Sequence, residues 1–391
     1  MNVACVTHAY PRWDGDVAGA FIERLVLALV HRGHAVHVVA PADEGRGGKE
    51  VRHQVPVTRV RYAPARWETL AYRGKMVAAA GTPWGLSAAA SLVVRQARAI
   101  ARISSAGDGD IDLVHAHWWA PGGISAWLAR RRYVVTLHGT DVALLERSAA
   151  ARWVARRVLP GAALVTAVST YLANRAARVA GLDAGRIAVQ PMPVDVRAFA
   201  RTSAGGGGVV SVGRLSKQKR VDLVVEAVAL LKQRGRGLPL TIVGDGPERA
   251  YLERRAAEVG IAGETRFLGE VPPDRIPQAV GDADVFAFPA AGEGLGLAAA
   301  EALMLGVPVV AAADGGGVTD IVPVQGPGRR VSPVNAGELA DAIDALARDG
   351  AARRLAAEAG AELRRRFDPA AVAERFEALY RQALQQEREG A

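Results

Sequence analysis

Short apolar runs alternate along the chain with longer amphipathic stretches. The apolar run at residues 2–8 is followed by helical spacing of apolar residues from Phe21 to Arg32, and then by a second apolar run at residues 34–41. A strand, a helix and a strand in this order are typical of a parallel sheet covered by helices. The same rhythm predicts further strands in the first half, at residues 57–63, 112–118, 133–139, 163–169 and 186–192.

A second series of the same kind follows four consecutive glycines at residues 205–208. Glycine runs favour neither helix nor strand, so we predict a flexible linker at residues 201–208. This linker would separate an N-terminal domain, residues 1–200, from a C-terminal domain, residues 209–370. Each domain is predicted to be a Rossmann-like, doubly wound parallel α/β sheet. Residues 371–391 are predicted to form a final amphipathic helix that packs back toward the N-terminal domain.

The predicted elements of the second half also alternate between strands and helices. The strands are expected at residues 208–215, 238–246, 265–271, 284–290 and 307–313. The helices are expected at residues 221–234, 248–259 and 297–305. Open parallel sheets bind ligands beyond the carboxyl ends of their strands, so the loops after these strands are where chemistry is expected.

Composition narrows the class of protein. Apolar residues make up 50% of the chain and charged residues 23%, which is ordinary globular usage rather than disorder. The single cysteine, Cys5, lies in an apolar run and is predicted to be a buried hydrophobe, which excludes a disulfide framework and fits the cytoplasm. The N-terminus has no basic leader, and the uncharged stretch at residues 76–94 is too interrupted by Gly, Pro and Ser for a membrane span.

The net charge of +9 is concentrated in the first half of the chain. Residues 1–195 carry 24 Lys and Arg against 14 Asp and Glu, whereas the remainder is nearly neutral. Such an excess can attract anionic lipid, a phosphorylated acceptor or nucleic acid. No zinc, helix-turn-helix or aromatic-basic RNA motif accompanies it, so we exclude nucleic acid.

One basic segment, residues 65–77, combines cations with aromatic residues. Arg66, Arg73 and Lys75 could face anionic lipid while Trp67 and Tyr72 lie at the interface. An ordinary solvated helix is the alternative. We therefore expect a cytoplasmic protein, and the first of these alternatives would add a peripheral contact on the inner face of the plasma membrane.

Two cations follow the first predicted strand of the second half, in the sequence VGRLSKQKRVD. Arg214 and Lys219 lie between this strand and the next helix, where paired cations can hold an anionic ligand. A diphosphate is the natural match. The alternative is a solvated basic turn.

A glycine-rich loop precedes a later helix, in GEGLGLAAAEALMLGVPVV. Gly292, Gly294 and Gly296 let backbone N–H groups approach a ligand where the helix begins, and helix N-termini favour phosphate oxygens. Glu293 lies in this loop and Glu301 lies in the following helix. A carboxylate can accept paired hydroxyl hydrogen bonds, which suits ribose for Glu301 and a sugar ring for Glu293, although either could be a surface charge.

The run IVGDGPERAYLE resembles part of a dinucleotide-binding fingerprint. Gly244 and Gly246 follow a predicted strand, but Arg249 occupies the position of the third glycine. The sequence therefore argues against a nicotinamide cofactor. A tight turn at Gly244 that allows close approach to a nucleotide remains compatible with these residues.

Polar residues also end successive predicted strands of the first half. His117, His138 and Asp141 are expected at one edge of the sheet, and His115 is expected on the same face of its strand as His117. His117 is either a hydrogen-bonded core histidine or a functional one. His115, His117 and His138 lack partners with metal-site spacing, so we expect no metal.

The loop after the first strand is a further candidate for binding a phosphate or an acceptor. In PRWDGDVAGAFIERL, Gly15 and Gly19 precede a helix and could supply N–H groups to a phosphate or an acceptor.

Taken together, these segments resemble the retaining family 4 glycosyltransferases of the GT-B fold, in which two Rossmann-like domains face each other across a donor cleft. The resemblance covers nearly the whole chain, and its sharpest element is a motif of two glutamates separated by seven residues, Glu293 and Glu301. It implies that Arg214 and Lys219 bind the leaving diphosphate, that Glu301 binds the ribose, and that Glu293 binds the donor sugar.

The resemblance also implies roles for residues around this motif. Backbone N–H groups after Gly294 would join the phosphate site, and His138 would lie near the reacting sugar. Leu268 and Val271 match a segment that contacts the base through its backbone. The resulting donor site comprises Arg214, Lys219, Gly244, Leu268, Val271, Glu293, Gly294, Leu295, Gly296, Leu297 and Glu301.

The HGTD sequence that contains Asp141 is similar to that of enzymes that build exopolysaccharides and related cell-surface glycans. Three positions depart from the usual family pattern: Pro193, Ala290 and Asp320 stand where glycine, serine and glutamate are common. They affect the expected details of the hinge-side loop and the base pocket.

The implied activity is transfer of a sugar from a nucleotide-diphosphate sugar to an acceptor hydroxyl, with retention of configuration and without a metal. Growing charge on the diphosphate would be met by the two cations and the helix N-terminus. The acceptor could be a glycan, a lipid-linked molecule or a small molecule. The alternatives are a nucleotide-sugar 2-epimerase on the same fold and a non-catalytic protein that binds nucleotide sugars or glycans.

Overall fold

A computed structural model describes residues 1–72, 76, 82–105, 110–200 and 205–385. The chain divides into two compact units. The first unit comprises residues 1–194 together with residues 368–391, and the second comprises residues 195–367. Across the described part of the chain, none of the helices has the length and apolar character needed to cross a membrane.

The first unit is built on an eight-stranded sheet with the strand order β3-β4-β2-β1-β5-β6-β7-β8. Its strands are β1 Asn2–Val6, β2 Ala35–Pro41, β3 Gly48–Arg52, β4 Val55–Val60, β5 Leu113–His117, β6 Tyr133–Leu137, β7 Leu164–Ala167 and β8 Ile187–Val189. All neighbouring strands run parallel except β3 and β4, which pair antiparallel. The central strands β5 and β6 are buried along their whole length, as expected for a sheet covered on both faces.

Helices cover this sheet. They are α1 Ala20–His31, α2 Pro83–Ser105, α3 Ile124–Leu128, α4 Thr140–Arg147, α5 Ala149–Val158 and α6 Thr170–Ala180. Helix α6 shows why such segments begin and end where they do: the Ser169 side chain accepts a hydrogen bond from Leu172 N, and Gly181 ends the helix in a left-handed conformation. Cys5 is buried in β1, and this burial raises the pKa of its thiol to about 12.

The second unit contains a six-stranded, wholly parallel sheet in the order β11-β10-β9-β12-β13-β14. Its strands are β9 Val209–Val212, β10 Leu240–Val243, β11 Thr265–Gly269, β12 Val285–Phe288, β13 Val309–Ala312 and β14 Gly328–Val331. Its helices are α7 Val221–Gln233, α8 Arg249–Glu258, α9 Ile276–Gly281, α10 Leu297–Met304, α11 Ala336–Arg348 and α12 Ala352–Phe367. Helix α7 buries Val221, Val224, Val225 and Val228 against the sheet, at the spacing of one helical face.

The last helix, α13 Pro369–Gln385, belongs to the first unit. It buries Val372, Phe376 and Tyr380, and the Tyr380 hydroxyl lies 2.7 Å from Nδ1 of His115. The chain therefore returns to the first unit after completing the second.

The division between the two units does not coincide with the predicted linker at residues 201–208, whose flexibility stays a prediction. The division between units falls after Val194, and the glycines of the expected linker belong to the second unit. Backbone N–H groups of Gly206 and Gly208 donate to the Asp284 carboxylate at 2.7 and 2.9 Å, and Gly207 N donates to Asp282 O at 2.9 Å. These bonds fix residues 205–208 at the start of β9, whereas residues 201–204 lie outside the described residues.

Candidate functional site

The loops after β9 and β12 bring two predicted site residues together. The Lys219 ammonium lies 2.9 Å from Glu293 Oε1 and 5.0 Å from the centre of the Phe288 ring. Both charged side chains keep about a fifth of their surface exposed, so a ligand can reach them. This pair joins residues 74 positions apart because their strands, β9 and β12, are neighbours in the sheet.

The Glu293 loop is held by its neighbours through backbone and side-chain hydrogen bonds. Gln218 Nε2 donates to Ala291 O at 3.0 Å and to Glu293 Oε1 at 3.3 Å. Glu293 N donates to Gly315 O at 2.9 Å, and Gly317 N donates to Glu293 O at 2.8 Å. The carboxylate is thus positioned by two loops rather than carried on a freely moving turn.

Arg214 is placed differently from Lys219. Its side chain is exposed, and it forms no ion pair or hydrogen bond with any residue that the structure describes. The adjacent Arg220 instead forms a bidentate ion pair with Asp314, at 2.8 Å for both contacts. Arg214 therefore remains available to an anionic ligand, whereas Arg220 fastens the β9 loop to the loop after β13.

Helix α10 begins at the glycine-rich loop, as the sequence predicts. Gly296 precedes the helix with φ of 84° and packs against Val318, so a side chain there would be strained and crowded. Leu295 is buried, Leu297 is 37% exposed and Gly294 is partly exposed. Because an α-helix leaves its first N–H groups without intrahelical partners, this end of α10 can hold phosphate oxygens.

Glu301 lies on α10 itself and is partly buried. Leu268 lies near the end of the edge strand β11 and is 38% exposed, and Val271 follows it at a partly buried position. The roles expected for these three residues in holding ribose and base remain predictions.

Close packing of the backbone explains why glycine occupies position 244, and the sequence around this position does not reveal that packing. A Cβ atom at Gly244 would lie 2.1 Å from Gly213 O, and one at Gly246 would lie 2.3 Å from Leu215 O. The loops after β9 and β10 therefore touch through their backbones, which requires glycine at both positions.

Arg249 pairs with Asp245 and Glu253 at 3.1 and 2.9 Å on the surface of α8.

In the first unit, the residues after β5 and β6 also come together. His117 Nδ1 lies 3.2 Å from His138 Nε2, and the rings of His115 and His117 are 4.2 Å apart on one face of the strand. The Asp141 carboxylate accepts hydrogen bonds from the N–H groups of His138 at 3.1 Å and Gly139 at 2.8 Å. Asp141 is buried at the start of α4, where it holds the turn that carries His138.

Burial keeps these histidines neutral. It lowers the pKa of His115 to about 3 and lowers the pKa values of His117 and His138 well below the ordinary value. It also raises the pKa of Asp141, against the lowering effect of the N–H groups that the carboxylate accepts. A neutral His138 can exchange hydrogen bonds with sugar hydroxyls without adding charge.

Both ring nitrogens of His115 lie near hydroxyl groups rather than at an open site. Nε2 lies 2.7 Å from Thr136 Oγ1, and Nδ1 lies 2.7 Å from the Tyr380 hydroxyl. Among the described residues, no group of three or more His, Cys, Asp or Glu side chains has the geometry to hold a metal ion.

The loop after β1 leads into α1 through the two predicted glycines. Gly19 has φ of 79° and passes so close to Ala9 that a Cβ would lie 2.2 Å from its carbonyl oxygen. Gly15 also has a positive φ, of 88°, but has open space around it. Close packing thus requires glycine at position 19, whereas at position 15 only the backbone conformation requires it.

Sequence reasoning missed Trp118, which belongs to the histidine cluster. Its ring centre lies 4.3 Å from that of His138 and 3.9 Å from that of His8, and its φ is 64°. Trp118 Nε1 and His117 Nε2 are buried without a hydrogen-bond partner in the described part of the chain. A positive φ in a bulky residue directly after a strand often marks a functional site, but no sequence pattern reports it.

Within residues 65–77, Tyr72 does not take the membrane-interface position that the sequence interpretation gives it. Its hydroxyl donates to Pro41 O at 2.8 Å and accepts from the Arg59 guanidinium at 3.0 Å, so its polar end is turned into the protein. Trp67 and Arg66 are exposed, whereas Arg73 and Lys75 lie outside the described residues.

Two family models match the chain, and they divide it close to the boundary between the units. The model for "Glycosyltransferase Family 4" matches residues 18–198, and the model for "Glycosyl transferases group 1" matches residues 203–367.

Similar proteins extend this likeness over most of the chain. A GDP-mannose-dependent alpha-(1-6)-phosphatidylinositol monomannoside mannosyltransferase of Mycobacterium tuberculosis is 30% identical over 374 residues, which is 88% of this chain and 89% of that protein. The chain belongs to glycosyltransferase family 4. This family 4 chain is also 35% identical to a D-inositol 3-phosphate glycosyltransferase of Nocardia farcinica, over 62% of the chain and 60% of that enzyme. A 2-deoxystreptamine glucosyltransferase of Streptomyces kanamyceticus is 32% identical, over 64% of the chain and 72% of that enzyme.

Solved structures confirm the predicted fold class of this family 4 glycosyltransferase. Anabaena HepE, in complex with UDP and glucose, superposes with a TM-score of 0.71 at 24% identity and covers 97% of the chain and 99% of HepE. Sucrose-phosphate synthase of Thermosynechococcus elongatus has a TM-score of 0.75 at 22% identity, over 99% of the chain and 100% of that protein. The two α/β units, one with a mainly parallel and one with a wholly parallel sheet, are therefore those of the GT-B fold.

Proposed function

We propose that this family 4 glycosyltransferase moves a sugar from a nucleotide-diphosphate sugar to an acceptor hydroxyl. The observation that carries the proposal is the approach of Lys219 to Glu293 at 2.9 Å beside the N-terminus of α10. A diphosphate needs a cation and free N–H groups, and a sugar ring needs a carboxylate that accepts hydroxyl hydrogen bonds. The mannosyltransferase and HepE, whose names and ligands include GDP-mannose and UDP, support a donor of this class.

In this proposal, residues of the second unit stabilise the departing diphosphate. As the glycosidic bond to the donor lengthens, negative charge grows on the phosphate oxygens while the sugar gains positive charge. Lys219, Arg214 and the N–H groups at the start of α10 would meet the negative charge, and Glu293 would hold the sugar hydroxyls. Glu301 would hold the ribose from α10, with the backbone at Leu268 and Val271 next to the base.

We infer that transfer is metal-independent and retains the anomeric configuration. Cationic side chains and helix N–H groups supply the electrostatic stabilisation that a metal supplies elsewhere, and same-face attack would let the departing phosphate accept the acceptor proton. Turnover that persists unchanged in excess EDTA, with a product whose anomeric proton coupling matches that of the donor, is the expected result. Loss of turnover in EDTA would reject the first inference, and an inverted product the second.

The histidine cluster of the first unit suits a sugar or acceptor. His138, supported by His117 and Asp141, presents a neutral ring, and the buried polar atoms of Trp118 and His117 lack partners in the described structure. The proposed acceptor carries a hydroxyl on a glycan, a lipid-linked molecule or a small molecule. The inositol phosphate and 2-deoxystreptamine in the relatives' names make polyhydroxylated ring acceptors the first to test.

Nucleotide release tests the donor proposal. UDP, GDP, ADP and dTDP sugars are incubated with the enzyme, with and without polyhydroxylated acceptors, and free nucleotide is measured. Glu293→Ala and Lys219→Ala should abolish release, while Arg234→Ala, which removes an exposed cation paired with Asp341 on the same unit, should not. Equal release by both site variants and the wild type would reject the site, and tight donor binding without any release would indicate a non-catalytic binding protein.

A peripheral contact with anionic membrane is proposed on narrower grounds than the sequence suggested. Trp67 and Trp84 are each 43% exposed, and their rings lie 4.8 Å apart beside the exposed Arg66. Exposed tryptophan next to arginine suits a headgroup interface. Sedimentation with anionic vesicles should weaken in Trp67→Ala and not in Trp127→Ala, which removes a 40% exposed tryptophan elsewhere. Equal sedimentation of wild type and Trp67→Ala would remove this contact.

A further inference from the structure

A cavity of about 380 Å³ opens in the first unit between helix α2 and the edge of the sheet. Its wall includes Arg95, Arg98 and Arg102 of α2. These residues are spaced three and four positions apart, so they lie on one face of the helix and all three reach the same opening. We call it the α2 cavity.

The floor of the α2 cavity is formed by strands β2, β3 and β4. Thr58 of β4 pairs with Lys49 of β3 in the antiparallel ladder, which puts both side chains on the face that α2 covers. His37 of β2 lies on the same face, with Nε2 2.8 Å from Thr58 Oγ1. A hydroxyl, an imidazole and an ammonium group therefore lie opposite the arginines.

The positive charge of the cavity is not balanced by its own lining. Arg59 and Arg61 also line it, but their guanidinium groups pair with Glu50 at 2.8 Å and Glu68 at 2.5 Å. By contrast, Lys49, Arg95 and Arg98 form no ion pair with any described carboxylate.

None of the residues that line the cavity is acidic. Several unpaired cations held around one concave space raise the local concentration of anions and favour a multiply charged one. Guanidinium groups in particular match phosphate geometry through paired N–H donors.

We propose that the α2 cavity is a binding site for a phosphate-bearing ligand, separate from the donor residues of the second unit. Its phosphate would lie among Lys49, Arg95 and Arg98, with Thr58 and His37 of the cavity floor beside it. A volume of about 380 Å³ falls at the small end of the range for ligand pockets, which fits a compact organic phosphate or a single lipid headgroup. This site would also give a function to part of the positive excess of the N-terminal half.

Titration calorimetry with inorganic pyrophosphate tests the site in the full chain. Pyrophosphate should bind in two events, because it can also occupy the donor site near Lys219. Arg95→Gln/Arg98→Gln should weaken one event by about tenfold or more, since two charge-assisted contacts are lost, and should leave the other unchanged. Lys219→Met should have the opposite pattern. The matched control is Arg156→Gln/Arg178→Gln, which removes two exposed arginines from α5 and α6 of the same unit.

The outcomes separate a site from general electrostatic attraction. Equal weakening by Arg95→Gln/Arg98→Gln and by the control variant would overturn the proposal, as would unchanged binding in the former. Failure of the Lys219→Met arm alone would count against the donor site and not against the α2 cavity.

Sedimentation with phosphatidylglycerol and phosphatidylcholine vesicles identifies the source of the phosphate. Binding to phosphatidylglycerol that is lost in Arg95→Gln/Arg98→Gln and kept in the control variant assigns it to a lipid headgroup. Pyrophosphate binding at the cavity without such vesicle binding assigns it to a free ligand.

Discussion

Lys219 and Glu293 form an ion pair of 2.9 Å between two loops that follow neighbouring strands of the second unit. Each charge balances the other in the free protein, so neither is stranded while the site is empty. A bound donor would divide the pair: the ammonium would turn to the diphosphate and the carboxylate to the sugar. The ion pair thus keeps the two side chains that we propose as binding groups in place without a ligand.

This division predicts opposite effects of two single substitutions on nucleotide binding. Lys219→Met removes the cation and should weaken binding of a nucleoside diphosphate by about tenfold or more. Glu293→Gln removes the competing carboxylate charge, so the nucleoside diphosphate should bind at least as well as to the wild type, although sugar transfer is lost. Thermal shift with UDP and GDP measures nucleotide binding to both variants, because a ligand that binds the folded state raises its stability. Weaker nucleotide binding in Glu293→Gln would show that the carboxylate holds the nucleotide rather than the sugar.

A second prediction concerns the backbone that supports Glu293. A Cβ atom at Gly317 would lie 2.2 Å from Gly294 O, so Gly317→Ala should displace the loop and destabilise the second unit by about 1–3 kcal/mol. Gly263→Ala is the matched control, because nothing lies within 4 Å of the added atom. Circular dichroism during thermal unfolding measures the effect. Equal stability of the two variants would mean that the loop accommodates the added methyl group without a loss of stability.

All seven tryptophans lie between residues 13 and 153, so their fluorescence reports on the first unit alone. In Gly317→Ala, the unfolding transition seen by circular dichroism should therefore shift more than the one seen by fluorescence.

The proximity of Lys219 and Glu293 in the second unit can be predicted from the sequence because it depends on topology. Once β9 and β12 are recognised as parallel strands, their following loops must meet at one edge, which brings Lys219 to Glu293. The position of the division between the units could not be predicted in the same way. Glycines 205–208 are indistinguishable from a flexible connection until Asp284, some 76 residues later, is seen to accept their N–H groups.

Strand β3 and its turn show a second limit of sequence reasoning. Gly48–Arg52 is exposed and polar because it forms an edge, so it lacks the apolar alternation that marks buried strands. The turn that joins it to β4 uses His53 and Gln54, both with positive φ, instead of the usual Asn-Gly. No local sequence pattern therefore predicts strand β3 or its contribution to the floor of the α2 cavity.

The buried histidines predict acid sensitivity of the first unit. The unfolded chain protonates His115 near pH 6.5, whereas in the folded protein burial lowers its pKa to about 3. Between these values the unfolded state binds more protons, so the free energy of unfolding falls as the pH falls. The slope for this one group is at most about 1.4 kcal/mol per pH unit.

Urea unfolding followed by tryptophan fluorescence, at pH values between about 7 and about 5, measures this slope. His115→Gln should make the slope shallower, while His8, His117 and His138, whose pKa values burial also lowers, should keep it above zero. A slope that is the same in both proteins would mean that His115 is not protonated on unfolding in this range.

The final prediction concerns how the last helix holds the first unit. Tyr380 is fully buried on α13, and its hydroxyl lies 2.7 Å from His115 Nδ1. Tyr380→Phe keeps the packed ring but leaves that buried nitrogen without its partner, which should cost about 1–3 kcal/mol in the first unit. Tyr171→Phe, at a partly buried position on α6, should change stability by less than about 0.5 kcal/mol. Because α13 follows the whole second unit in the chain, a loss of stability seen by tryptophan fluorescence in Tyr380→Phe alone would show that folding of the first unit needs the C-terminal segment. Equal stability of the two variants would mean that α13 is held by its apolar contacts without this hydrogen bond.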